Sequence, residues 1–416
     1  MIKNHLNVTL RKTFIVLLVL GFTACILPLN LAAYAFTNGQ SATTVIGQSS
    51  FTTNDFTPNA TRENSPIGLA FDSSGNLWVA DDGNNRVLEY TAPFSNGEAA
   101  TTVIGQPNFT SFAKATTATG ENGTSGLAFD SSGNLWVADF YNSRVLEYKK
   151  PFSNGEAASL VIGQPNFTTN TSALTATGLH FPSSLKFDSS GNLWVVDEYN
   201  DRVLEYTAPF SNGEAATTVI GQPNFTTNNC VTTATELCVP YDLAFDSSGN
   251  LWVTDQDNKR VIEYTTPLST GEAATTVIGQ PNFTTNTSAL TATGFIGPYG
   301  IAFDSSGNLW VTDQPGNRAL EFLKGTGFTN GEAATTVIGQ PSFTTGTGAL
   351  TATGLNNPYG IGFDPSGNLW IVDFLNDRVL GYSLAQATVP EFPIAAILLV
   401  IGFASVTMLS RIKFRA

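Results

Sequence analysis

The sequence predicts an all-β fold, a six-bladed β-propeller of four-stranded antiparallel blades, and three observations predict it. First, the stretch FDSSGNLWVVDEYNDRVLEY at Phe187–Tyr206 recurs six times, beginning at Phe71, Phe129, Phe187, Phe245, Phe303 and Phe363. The spacing is 58 residues until the last interval, which is 60. A fixed long period means one supersecondary unit copied in series. Second, all six tryptophans (Trp78, Trp136, Trp194, Trp252, Trp310, Trp370) hold one position in that unit. Third, each copy contains four short apolar runs separated by turn residues, which is the content of one propeller blade.

The runs read in order as follows. A Gly-Leu-Ala-Phe type run ends at Phe71, and Asp-Ser-Ser-Gly-Asn follows as a turn. There Asp72 is placed to bond backbone donors and Gly75 is free to take positive φ. Leu77-Trp78-Val79 is apolar on both faces, as a strand sandwiched between sheets should be. The polar segment from Asp81 to Arg86 leads to a third strand, Val87 to Tyr90. A turn with Pro93 and Ser95-Asn96-Gly97 leads to a fourth, Thr101 to Ile104, closed by Gly105.

Counting strands predicts how the ring closes. The fourth-strand motif Val-Ile-Gly-Gln also occurs six times, but its first copy, Val45–Gln48, precedes the first tryptophan repeat. The sixth repeat ends at Tyr382 with no such motif after it. The N-terminal segment Thr43–Gly47 therefore supplies the outer strand of the last blade, which leaves few free sheet edges and predicts a monomeric ring. The pattern Asp-x-x-Gly-Asn-Leu-Trp-Val-x-Asp-x-x-Asn-x-Arg-Val resembles the NHL repeat family of β-propellers, six times over from Thr43 to Tyr382. These repeats are longer than is usual for that family, and the excess lies in the loop entering each blade.

The ends of the chain read differently from its middle. Over residues 1–35, Lys3, Arg11 and Lys12 precede an apolar run from Phe14 to Leu29, and Ala33-Tyr34-Ala35 supplies small residues at cleavage spacing. That is the pattern of a secretory signal peptide, with an uncleaved anchor as the alternative. The propeller is expected over residues 36–388. Pro-Glu-Phe-Pro follows at 390–393 within a linker of residues 389–393, then an apolar helix over 394–410 and a basic tail over 411–416. The helix is just long enough to span a bilayer, and the tail should remain cytoplasmic. This tripartite end also resembles the C-terminal sorting signals processed by archaeosortases, which implies replacement of the helix by a lipid. Both versions place the propeller on the outer face of a cell membrane or envelope.

Charge and composition exclude one class of partner. The chain carries 19 basic and 33 acidic residues, and residues 36–388 hold 13 and 32 of them, a net charge of −19. Such a surface repels nucleic acid. Some NHL propellers of regulatory proteins bind RNA through a basic face, and the charge of this chain departs from theirs. Cys230 and Cys238 lie in one polar loop of an exported chain, so a disulfide is expected rather than a metal site. Asn59, Asn108, Asn122, Asn166, Asn170, Asn224, Asn282 and Asn286 each begin an Asn-x-Ser/Thr glycosylation acceptor.

The residues that carry chemistry divide into repeated and unrepeated ones. The Asp ending each second strand and the Arg opening each third strand pair as Asp81/Arg86, Asp139/Arg144, Asp197/Arg202, Asp255/Arg260, Asp313/Arg318 and Asp373/Arg378. Being copied with the blade, they are expected to brace turns. No catalytic residue and no metal ligand is identified: beyond the leader the chain has one histidine, His180, and it lacks a Gly-x-Ser-x-Gly elbow, a phosphate loop and Cys/His metal spacing. No cofactor is implied, although a carboxylate-only calcium site leaves little spacing signature.

Function is expected where the copies differ. Two residues after each repeated Asp vary, and they place Phe140, Tyr141, Tyr199, Phe374 and Leu375 on one loop face, a candidate surface for a protein or glycan ligand. Near the axis, Lys186 and Asp242 stand where the other first strands carry small residues. They are expected to form either an ion pair between blades three and four or a ligand-facing sector of the channel. Two functions remain, a surface-anchored recognition or scaffold propeller and an exported lactonase- or lyase-type propeller with a carboxylate-held divalent metal.

Overall fold

The computed structural model describes residues 35–384, and these form six four-stranded antiparallel sheets. Blade one is typical. Its strands are Pro66–Phe71, Leu77–Asp81, Arg86–Tyr90 and Thr102–Ile104, from the axis outwards. The turn after the first strand forms because the Asp72 carboxylate accepts the Ser74 and Asn76 amides at 2.8 and 2.9 Å. Gly75 completes it at φ 82°, in the left-handed region.

Blades adhere through the repeated tryptophan. Trp78 packs edge-on against Phe129 and Phe152 of the next blade, with ring centroids 5.7 and 4.8 Å apart. Such contacts add to area burial. Between blades three and four, Leu268 stands where the equivalent turns carry Phe94, Phe152, Phe210 and Phe328. A cavity of about 390 Å³ opens there beside Trp194.

The ring closes as the strand count predicts. Thr44–Ile46 pairs antiparallel with Arg378–Tyr382, in the register Thr44 to Gly381, Val45 to Leu380 and Ile46 to Val379. Closure extends back to Phe36, whose ring meets Trp310 at 5.2 Å. Asn38 Oδ1 accepts the Val337 amide at 2.9 Å, the bond that Asn96 makes to Val45 in blade one.

The repeated Asp–Arg pairs brace the second-to-third turns as expected, and they reach beyond them. Arg86 Nε donates to Asp81 Oδ2 at 2.6 Å, with both side chains fully buried. The other Asp81 oxygen accepts the Asn64 amide at 2.7 Å. The guanidinium also donates to the carbonyls of Asn59 and Arg62, at 3.0 and 2.9 Å, and to that of Phe109 in the next entering loop.

The other five blades repeat this arrangement. Arg144 pairs with Asp139 at 2.6 Å, Arg202 with Asp197 at 2.7 Å and Arg260 with Asp255 at 2.7 Å. Arg318 pairs with Asp313 at 2.8 Å and Arg378 with Asp373 at 2.6 Å, and all these side chains are fully buried. Arg144 reaches the carbonyls of Thr117, Gly120 and Phe167, and Arg202 those of Thr175, Gly178 and Phe225. Arg260 reaches Thr233, Glu236 and Phe283, whereas Arg318 bonds only Gly294 and Phe343. Arg378 closes the series on Thr351, Gly354 and Phe51, the last in the N-terminal segment. Besides bracing its own turn, each Arg therefore clamps two consecutive entering loops. The physical reason is that a buried guanidinium has more N–H donors than one carboxylate can satisfy, so the rest must find backbone carbonyls.

The Asn-x-Thr runs have a local structural role too. Asn108, Asn166, Asn224 and Asn282 each accept the amide two residues on, at 3.0, 2.9, 2.9 and 3.0 Å. The expected leader (apart from Ala35), residues 385–388, the 389–393 linker, the 394–410 helix and the 411–416 tail lie outside the described residues. Among the described residues, no helix is long and apolar enough to cross a membrane.

Closure and one irregularity of the core can each be tested by mutation. Deleting Ser41–Ser49 removes the outer strand of blade six. The protein should then melt at lower temperature or oligomerise through the bared edge, as read by calorimetry and size-exclusion chromatography. The irregularity is that Glu63 and Glu121 are fully buried where the other blades carry Leu179, Leu237, Phe295 and Leu355. Both Glu63 oxygens lack a partner, while Glu121 accepts the Tyr148 hydroxyl at 2.7 Å. Burial, reinforced by the charge of Asp139, pushes Glu121 up to about 8, and Glu63 is raised well above its usual range by burial and Asp81. A raised acid keeps its proton in the folded state after the unfolded chain has lost it, so stability falls as pH rises from the unfolded value, about 4.5, through about 8. Glu63→Leu and Glu121→Leu should therefore each stabilise the ring by about 1–3 kcal/mol, with a larger gain at pH 8 than at pH 5 in thermal melts.

Candidate binding face at the channel mouth

The first strand of blade one begins at Pro66 opposite Asp81, where the second strand ends, so entering loops and second-to-third turns emerge at one end of the ring. Each turn starts immediately after the clamped Asp. In blade one it is a single 3-10 turn, Asp82–Asn84, ended by Asn85 in the left-handed region at φ 52°. The first variable residue is Asp82, Phe140, Glu198, Gln256, Gln314 or Phe374, partly or fully buried in every blade. The second is Gly83, Tyr141, Tyr199, Asp257, Pro315 or Leu375, exposed in every blade.

Below these turns lies a half-ring that the sequence reading missed. The second position of the first strands holds Ile67, Ser125 and Ser183 in blades one to three, and Tyr241, Tyr299 and Tyr359 in blades four to six. The three tyrosine rings pack together with centroids 4.4, 4.8 and 5.4 Å apart, and Phe374 covers Tyr359 at 4.6 Å. Gln256 Nε2 donates to the Tyr299 hydroxyl at 2.9 Å.

Deeper along the axis, glycines let the strands converge. A Cβ on Gly68 would meet the Ser125 carbonyl at 2.2 Å, and one on Gly300 would meet the Tyr359 carbonyl at 2.3 Å. The cavity left there, about 30 Å³, has room for ordered water. Lys186 and Asp242 both line it. The expected ion pair does not form between them. Instead, Asp242 accepts the Ser184 hydroxyl at 2.5 Å, the Leu243 amide at 2.8 Å and the Ile301 amide at 3.0 Å, so it joins blades three, four and five.

The candidate aromatic surface divides in two. Phe140 stacks on Phe181 at 4.9 Å, and Tyr141 and Tyr199 meet Phe181 edge-on at 5.6 and 5.1 Å. His180 packs on Phe181 and Tyr199, at 4.6 and 5.4 Å. Tyr141 and Tyr199 remain 46% and 52% exposed. Phe181 sits at φ 56°, a conformation costly for an aromatic residue, and it is the hub of this group. Phe374 belongs to the tyrosine half-ring instead, and Leu375 is exposed beside it.

Two acids accompany the rings. Glu198 is 7% exposed and its Oε2 has no hydrogen-bond partner, because the nearby Ser183 hydroxyl donates to the Tyr241 carbonyl at 2.7 Å. Burial pushes Glu198 up to about 8, with Asp201 and Asp257 adding to the shift. Asp82 is pushed up to about 7 by burial and the charge of Asp81, against the opposing charge of Lys114. The Lys114 ammonium lies 5.6 Å from the centre of the Tyr141 ring. Both acids act on Tyr359, which places them at the same mouth.

Cys230 and Cys238 form a disulfide in the loop entering blade four. Asp255 of the repeated pair holds the Cys238 amide at 2.7 Å. Asp201 lies beside them in a cluster with metal-like spacing, but the two sulfurs are bonded to each other.

Comparison with known proteins agrees with the blade geometry. The NHL repeat family matches residues 64–90 and 125–148. These two blades are NHL repeats. No curated protein sequence matches the chain. Among solved structures, this propeller is similar to a protein of unknown function from Bacteroides thetaiotaomicron, at 17% identity and a TM-score of 0.54, covering 83% of this chain and 76% of that one. A streptogramin B lyase structure matches at 14% identity and a TM-score of 0.45, covering 80% and 96%. A catalytically inactive virginiamycin B lyase from Staphylococcus aureus, with quinupristin, matches at 15% and 0.46, covering 80% and 88%. The Bacteroides likeness is one of fold, and the two lyases superpose more loosely.

The bonds of Asp242 predict a particular mutant pattern. Asp242→Leu should lose about 1–3 kcal/mol by leaving buried amides unpaired, and Lys186→Met should lose little. The double mutant should melt like Asp242→Leu in denaturant titration. Rescue by the second substitution would restore the ion pair.

Proposed function

We propose that this chain is an exported, surface-anchored NHL-repeat propeller whose channel mouth recognises a protein, glycan or other envelope component without transforming it. The observation that carries this reading is where the six copies diverge. Strands, tryptophans and ion pairs repeat blade by blade, whereas the mouth residues follow no repeat and gather aromatic surface and two acids, one buried and one partly buried, at one end. A six-fold scaffold has no structural need for such asymmetry, and exposed aromatic clusters are the usual content of binding hot spots.

Export rests on the leader pattern of residues 1–35, and anchoring on residues 389–416, whether the apolar helix is retained or exchanged for lipid at an archaeosortase-type signal.

A second reading is favoured by the two acids themselves. They suit the alternative of a lactonase- or lyase-type propeller with a carboxylate-held divalent metal, since a bound cation would favour the ionised form of either acid. Calcium or zinc retained stoichiometrically through dialysis would support it. The recognition reading is tested with Tyr141→Ser/Tyr199→Ser in pulldowns and glycan-array binding of the purified protein. Binding should weaken tenfold or more with the melting temperature unchanged. Undiminished binding would move the ligand site elsewhere.

A further inference from the structure

We propose that the mouth holds a subsite for a primary alkylammonium group, such as a lysine side chain presented by a protein partner. The inference rests on the recognition reading above and specifies the chemistry of the ligand.

Glu198 stands among groups that leave its carboxyl uncompensated. Those near it are neutral or acidic: the Ser183 hydroxyl is committed to the Tyr241 carbonyl, Asp201 and Asp257 raise its proton affinity, and Tyr241, Tyr299 and Tyr359 bear phenols. Lys114 is associated with Tyr141 and Asp82 instead. Among the described residues, Oε2 is therefore a buried acceptor without a donor. Buried polar atoms without partners are uncommon, and a ligand is one standard reason for them.

The ring composition selects the donor. An anionic ligand would be repelled by Glu198, Asp82 and Asp257. A neutral ligand would leave Glu198 protonated and gain no charge-assisted bond. A cation gains twice, from the carboxylate and from the half-exposed rings of Tyr199, next to Glu198 in the chain, and Tyr141. A primary ammonium is preferred over a quaternary one because Oε2 needs an N–H. The net charge of −19 over residues 36–388 would also steer a basic partner towards this surface.

Binding has a proton balance. The ammonium arrives protonated, the Glu198 carboxyl releases its proton to solvent, and the product is an ammonium–carboxylate pair. With Glu198 held near 8, close to one proton should be released per ligand bound at pH 7, and affinity should rise about tenfold from pH 6 to pH 7.

The test is isothermal titration of the purified full-length protein with Nα-acetyl-lysine methylamide, its neutral isostere Nα-acetyl-norleucine methylamide, and choline. Repeating it in buffers of different ionisation enthalpy counts the protons. The lysine amide should bind at least tenfold more tightly than the other two, with proton release, and Glu198→Gln should abolish both the preference and the release. Glu198→Asp, which keeps the charge, should retain part of the preference and guards against a folding defect in the Gln variant, with melting temperatures measured alongside. No binding of the lysine amide, equal binding of the isostere or choline, or no proton release would each overturn the inference. Loss of partner capture in Tyr141→Ser/Tyr199→Ser would then still uphold recognition at the mouth. Intact capture would refute that reading separately.

Discussion

Six buried aspartate–arginine pairs set the geometry on which everything at the loop end depends. A buried pair is weak grounds for stability in itself, because desolvation offsets the attraction. Its value here is positional. In blade one the guanidinium reaches the Asp at its own strand end and three carbonyls in two loops, so long loops with little regular structure are fixed at both ends. The variable turn begins one residue after that Asp. Each side chain at the mouth is thus held next to a rigid, fully buried anchor, which lets sequence change there without loosening the blade.

A second constraint acts at the axis, where the first strands approach so closely that Gly68, Gly126, Gly300 and Gly360 leave no room for a Cβ. Convergence narrows the middle of the channel to a water-sized cavity, and the tyrosine half-ring covers one end. The unevenness of the inner ring matters too. Three tyrosines occupy blades four to six, while Ile67, Ser125 and Ser183 leave the other half lower. Glu198, Tyr141 and Tyr199 belong to the turns of blades two and three, in that other half.

Blade number, strand order, closure and the Asp–Arg pairing were legible in the sequence because each is repeated, and repetition averages out local ambiguity. The reach of Arg144, Arg202, Arg260 and Arg318 into the following loop was not, because their carbonyl partners carry no side-chain signature. The variable pairs all lie at one end of the ring, where Phe140, Tyr141 and Tyr199 come together. Phe181 and the tyrosines were not recognised. Phe181 matters through a left-handed backbone that no sequence pattern announces, though Pro-Tyr in three copies against Pro-Ile, Thr-Ser and Pro-Ser in the others was a readable signal. The Lys186–Asp242 pair failed for a metric reason. Two ranks along a strand correctly give one facing, but they also separate the residues by roughly 6.6 Å along the axis. Asp242 meanwhile finds a hydroxyl and two backbone amides at hydrogen-bond distance, one of them from blade five.

The closure of blade six by residues from both ends of the chain bears on how the molecule comes to be folded. The Thr43 hydroxyl bonds the Gly381 carbonyl across 338 residues of sequence, so the contact that completes the ring has almost the largest loop to close. Blades one to five can assemble from local contacts as they emerge, but the last sheet has no outer strand until Tyr382 has been made and has found Thr44–Ile46. Topologies dominated by such distant pairings fold slowly. During that interval two unpaired strand edges face solvent, and a chain delivered unfolded across a membrane would pass through this open-ring state on the far side.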